Sequence, residues 1–108
     1  MATGMGGMGG LLKQAQDMQS KLAKVQEELA HKTVDATAGG GLVSVTVTGQ
    51  FTVTSIKVDP AVINPEDAEM LEDLVLAAVN EGLRRAREMV SEEMGKLTGG
   101  FKIPGLMA

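Results

Sequence analysis

The chain of 108 residues contains no cysteine, tryptophan or tyrosine, one histidine and two phenylalanines. Without cysteine there is no disulfide framework and no thiolate metal site, which fits a reducing cytoplasm. Two phenylalanines offer no stacking platform for single-stranded nucleic acid. No run of about 18 apolar residues is present to span a membrane. The opening "MATGMGGMGG" lacks the basic start and apolar core of a signal peptide. "GGMGGLLK" superficially resembles a phosphate-binding glycine loop, but it follows no strand and lacks the GK[ST] ending.

Catalytic patterns are equally scarce. His31 sits at an expected helix end beside Lys32, where a solvated or capping role suffices. No serine, histidine and acid are spaced as a nucleophile site. The acids at 66–73 are explained by a helix start and a solvated face. Met18, Met70 and Met89 read as core filler. An enzyme, a cofactor, a metal and a small-molecule substrate are therefore not expected.

Charge is what the chain does distribute deliberately. The net charge is -4, and residues 60–97 hold nine acids against four basic groups, whereas residues 1–32 hold four lysines against three acids. Such a protein is not coated in positive charge, yet it can carry a local patch. "NEGLRRARE" concentrates Arg84, Arg85 and Arg87 beside Glu81, Glu88, Glu92 and Glu93. Two readings stand side by side. The cluster is a salt-bridged solvent face, or it meets phosphate oxygens, which suit arginine forks.

Periodicity predicts an α+β domain over 11–97, between a glycine-rich flexible leader (1–10) and a C-terminal tail (98–108). A helix is expected from Leu11 to Ala30. Its apolar residues Leu11, Ala15, Met18, Leu22, Val25 and Leu29 form one narrow seam of period 3.5, suited to a single partner helix. Asp17 with Lys21, and Glu28 with Lys32, are spaced as ion pairs. Three antiparallel strands follow: "TVDATA", then "LVSVTVT" and "FTVTSIKV" joined by a two-residue "GQ" loop. That loop pairs Thr48 with Phe51. It puts Val43, Val45, Val47, Ile56 and Val58 on one face, with Phe51 and Val53 on the other. Asn64 and Pro65 open a second helix running to Leu97, with core stripe Leu71, Leu74, Val75, Ala78, Ala86 and Met89. Gly82 falls in this stripe, which suggests close approach by another backbone. A small core and an open sheet edge make a homodimer the expected state.

"GGMGGLLKQAQDMQSKLAKVQEELA", "GLVSVTVTG…SIKVDP", "MLEDLVLAAVNEGLRRA" and "EEMGKLTGG" together resemble the YbaB/EbfC family of bacterial nucleoid-associated proteins across nearly the whole chain. The resemblance implies a cytoplasmic, nucleoid-located homodimer. It would bind double-stranded DNA through helical arms and alter its conformation. Carried over by region and charge, DNA contacts fall among Lys13, Lys21, Lys24 and Lys32 on the first helix, and Arg84, Arg85, Arg87 and Lys96 on the second. The rival expectation is a chaperone-like adaptor whose acidic faces bind a basic protein partner.

Overall fold

In this computed structural model residues 2–97 are described, with side chains from Gly9 onward; the expected C-terminal tail lies outside the described residues. The order is α1 (Ala2–His31), β1 (Thr33–Ala38), β2 (Val43–Thr48), β3 (Val53–Val58) and α2 (Ala68–Leu97), with short 3-10 turns at Pro60–Val62 and Pro65–Asp67. The strands form one antiparallel sheet in the order β1-β2-β3. This is the expected α+β arrangement.

Two helix starts differ from expectation. α1 begins at Ala2, so the stretch expected as a flexible leader is helical. Extending an existing helix adds one hydrogen bond per residue fixed, whereas nucleation is the costly event. The good helix formers after Gly10 thus provide a ladder that glycines can join. At the other start Asn64 does cap, accepting from the Glu66 amide at 3.0 Å. Pro65–Asp67 form a 3-10 turn, however, and α2 proper begins at Ala68.

The core lies between α2 and one face of the sheet. Val43, Val45 and Val47 of β2 alternate inward beside Ala36 of β1, and Ala78 and Ala86 of α2 close over them. Gly82 sits between these alanines. A Cβ built there would lie 2.7 Å from Val47 Cγ2 and 2.9 Å from Val45 Cγ2. The close approach suspected at Gly82 is real, but valine side chains make it rather than a backbone. Only glycine lets a helix sink this far onto branched residues.

The β2–β3 hairpin departs from its expected register. The loop is Gly49-Gln50-Phe51, three residues rather than two. Thr48 O accepts from Phe51 N at 2.9 Å, while Thr48 N donates to Thr52 O at 2.9 Å. Phe51 takes a φ of 61°, in the left-handed region where glycine is usual in such loops. A bulge follows, because Thr46 pairs with Ser55 while Val47 pairs with Val53. The two irregularities shift the register by two residues along most of β3. Ile56 and Val58 therefore keep the valine face, opposite Val45 and Val43. Val53 moves to that face and packs against the core, correcting its expected outward placement. The expectation failed because nothing marks phenylalanine as a left-handed residue.

The hairpin tip also anchors α1. Gly49 N lies 2.9 Å from Leu29 O and 3.0 Å from Lys32 O, and its amide donates to the carbonyls at the end of α1. A Cβ on Gly49 would stand 2.5 Å from Leu29 O. Here glycine is required by space. Beyond this root α1 projects as an arm, and the molecule extends 79 × 24 × 16 Å. Leu29 is buried, and Leu22, Val25 and Ala30 are half-buried, while Leu11 and Met18 are 68% and 48% exposed. The seam expected on α1 is thus covered only over its last two turns within the chain.

Candidate nucleic-acid interface

The eight basic residues expected at a DNA surface fall into two groups. Lys13, Lys21 and Lys24 are exposed along the α1 arm, and Arg87 is exposed on α2; none has an ion pair among the described residues. Lys13 and Lys24 are separated by about 16 Å along the helix axis. The expected pairing of Asp17 with Lys21 is absent among the described ion pairs. Lysines on this arm therefore keep their donors in water.

The other four are engaged by the protein's own carboxylates. Arg84 bonds Glu81 through Nη2 at 2.5 Å and through Nε at 3.0 Å, and reaches Glu88 one turn further on. Arg85 donates from Nε to Glu81 at 3.1 Å and from Nη1 to the Asp35 carbonyl of β1 at 2.9 Å. Arg85 thus shields the outer edge of the sheet, a fold role that the sequence did not reveal. Hydrogen bonds from Arg84 and then Arg85 hold the Glu81 carboxyl down at about 2, and Glu81 in turn raises Arg84 further. The salt-bridged reading thus holds for Arg84 and Arg85, while Arg87 stands apart from the cluster's pairs.

Lys32 and Lys96 meet on one acid. Lys32 Nζ is 2.6 Å from Glu93 Oε1, and Lys96 Nζ is 3.3 Å from the same oxygen. Lys32 was expected to pair with Glu28, yet Glu28 acts on it only as a nearby charge. The difference is tertiary: the end of α1 packs alongside the last turns of α2. The bonds from Lys32 and then Lys96 lower the Glu93 pKa, and Glu93 raises that of Lys32.

A family model described as the YbaB/EbfC DNA-binding family matches residues 5–101. The chain belongs to this family. Its relatives include a nucleoid-associated protein of Syntrophobacter fumaroxidans, 57% identical over 95 residues, covering 88% of this chain and 86% of that one. Another, from Moorella thermoacetica, is 54% identical over 102 residues and covers 94% and 98%. Among solved structures, that of the uncharacterized Helicobacter pylori protein HP0035 superposes with a TM-score of 0.71 at 24% identity, over 85% of this chain and 94% of that one. That likeness supports the fold. As a YbaB/EbfC protein, the chain is a member of a DNA-binding family whose relatives are nucleoid-associated proteins.

A second apolar flank of α2 escaped the sequence reading. Leu76, Val79 and Leu83 follow a 3-4 spacing beside the core stripe, on the side of α2 away from Arg85 and the β1 edge. Leu76 is 61% exposed, as is 48% of Ile56 on β3. The α2 helix packs on β1 and β2, while on β3 Val53 and Val58 are half-buried against the core and Ile56 stays exposed. The 3-4 repeat was readable, but the stripe through Ala78 and Ala86 absorbed it.

Proposed function

We propose that the protein binds double-stranded DNA as a homodimer in the nucleoid, gripping backbone phosphates and altering the conformation of the duplex. The observation that carries this reading is the α1 arm, with Lys13, Lys21 and Lys24 unpaired on an exposed helix. Ammonium groups without internal partners can release condensed counterions from DNA at no cost in broken salt bridges. Arg87 adds a guanidinium of the same kind. Arg84 and Arg85 serve α2 and the sheet edge first. Phosphate contact gives affinity without base reading, so sequence preference is modest.

The second copy has a place to sit. Leu76 on α2 and Ile56 on β3 are exposed apolar residues, flanked by the half-buried Val79 and Leu83 and by Val53 and Val58. The β1 edge is shielded by Arg85, whereas β3 is an edge strand with no such cover described. Pairing two copies here would bury both flanks and complete a core that is small for one chain. Sedimentation should give a dimer at micromolar concentration, and Leu76→Asp with Ile56→Asp should give folded monomers. A parent that sediments only as a monomer would refute the dimer.

DNA contact is tested by salt titration of duplex binding. Replacing Lys13, Lys21 and Lys24 with alanine should weaken binding on all sequences alike. The slope of log affinity against log salt should fall by about 0.9 per lost contact in each subunit that engages duplex. Arg84→Ala should change the slope much less. Equal affinities and slopes for parent and triple mutant would return α1 to a solvated role.

A further inference from the structure

We propose that Lys32 and Lys96 form a seat for a DNA backbone phosphate, and that Glu93 fills this seat when no DNA is bound. The inference rests on the duplex-DNA reading above. The two lysines come from different elements: Lys32 follows α1, and Lys96 lies in the last turn of α2. Both ammonium groups reach the same oxygen, Glu93 Oε1, at 2.6 and 3.3 Å. The acid lies beneath them. Its side chain is 16% exposed, while those of Lys32 and Lys96 are 51% and 73% exposed. Each ammonium carries three donors, and the structure gives each lysine one side-chain bond. The remaining donors point to water around a charge centre that already binds an anionic oxygen.

A phosphate oxygen has the same charge sign and the same acceptor chemistry as that carboxylate oxygen. It can take over the two lysines from the solvent side, leaving Glu93 to water. The seat lies at the root of the α1 arm, about 12 Å along the axis from Lys24, and so continues the line of unpaired lysines. Opposing the exchange are Glu93 itself, together with Glu28 and Glu92, which also act on Lys32. Glu93 thereby limits affinity. DNA must displace it before these two cations count, whereas Lys13, Lys21 and Lys24 are available at once.

Glu93→Gln is the test. Glutamine keeps the length and an oxygen that accepts from Lys32, but removes the charge. Duplex binding should tighten, and the salt slope should steepen by about 0.9 for each phosphate newly held in each engaged subunit. Adding Lys32→Ala and Lys96→Ala to Glu93→Gln should abolish the gain. A second measurement needs no variant. The Glu93 carboxyl, followed by NMR in the parent, should titrate nearer its ordinary range with duplex bound than without. A folded Glu93→Gln protein that binds like the parent or more weakly overturns the seat, as does a Glu93 titration that DNA leaves unmoved. A parent that binds no duplex at any salt overturns the DNA reading together with the seat. A parent that binds while Glu93→Gln has no effect overturns the seat alone.

Discussion

The two long helices are equal in length, 30 residues each, and they spend their apolar residues in opposite ways. α2 buries small ones. Ala78, Gly82 and Ala86 vanish beneath the sheet valines, and the helix sits close to the strands as a result. α1 carries large ones, yet of the seam only Leu29 is fully buried, and Leu11 stands 68% exposed. The charges divide in nearly the same way. Arg84, Arg85 and Lys96 on α2 and Lys32 at the end of α1 are matched by internal acids, whereas Arg87 and the lysines further out on α1 have no ion pair among the described residues. One helix thus builds the body and the other reaches away from it. An apolar seam on a helix says that a partner is wanted, and does not say whether the same chain supplies it.

The sharpest way to break this contrast is at Gly82. Gly82→Leu forces a branched side chain against Val45 and Val47, where even a Cβ would stand at 2.9 and 2.7 Å. Loss of about 3 kcal/mol is expected in a denaturant melt. A melt equal to the parent's would mean that α2 does not sit on the sheet as described. Gly49→Ala strikes the root of the arm instead. Its methyl meets the Leu29 carbonyl oxygen, a backbone atom that yields only if α1 moves. We expect a loss of about 1–2 kcal/mol, with amide shifts concentrated at the end of α1. Shifts confined to the hairpin would show the arm to be independent of it.

The opposite sign is expected at Phe51. This residue holds a φ of 61° with 47% of its surface exposed, so it bears backbone strain for little burial. Phe51→Gly should raise stability by about 1 kcal/mol. A lowered melting temperature would assign the ring a packing role outside the single chain. On the arm, Leu11→Gln with Met18→Gln should change stability by no more than about 0.5 kcal/mol. A larger drop in the melt would reveal that another chain covers the seam in solution.

The smallest effect concerns acid. Glu81 is held at about 2 against an ordinary 4.5 by Arg84 and Arg85. A depressed carboxylate contributes stability that is present above the ordinary value. The contribution is lost as pH falls from about 4.5 towards about 2. An exposed pair of this kind makes only a minor change in the acid melt, so the check is direct titration of the Glu81 carboxyl by NMR. A midpoint at the ordinary value would show the arginines to be unpaired in water, and would restore them as candidates for phosphate.

The α+β order, the helical seam of α1, the inward valines of β2, the Asn64 cap and the packing role of Gly82 were all legible in the sequence. Each is written in a local period or a local residue preference, and these act over a few residues. The family resemblance was legible for the same reason, in motifs that run in order along the chain. Tertiary structure alone decided the rest. Phe51 takes a left-handed position in a three-residue loop whose first residue, Gly49, hydrogen-bonds the end of α1. Thr54 is bulged out, and that carries Val53 to the core. Arg85 is drawn to the β1 edge. Lys32 turns from Glu28, its neighbour in sequence, to Glu93, 61 positions away. An ion pair forms with whichever acid the packing brings within reach, and the distance that matters is measured through space. Which acid neutralises Lys32 is therefore set by how the two helices meet.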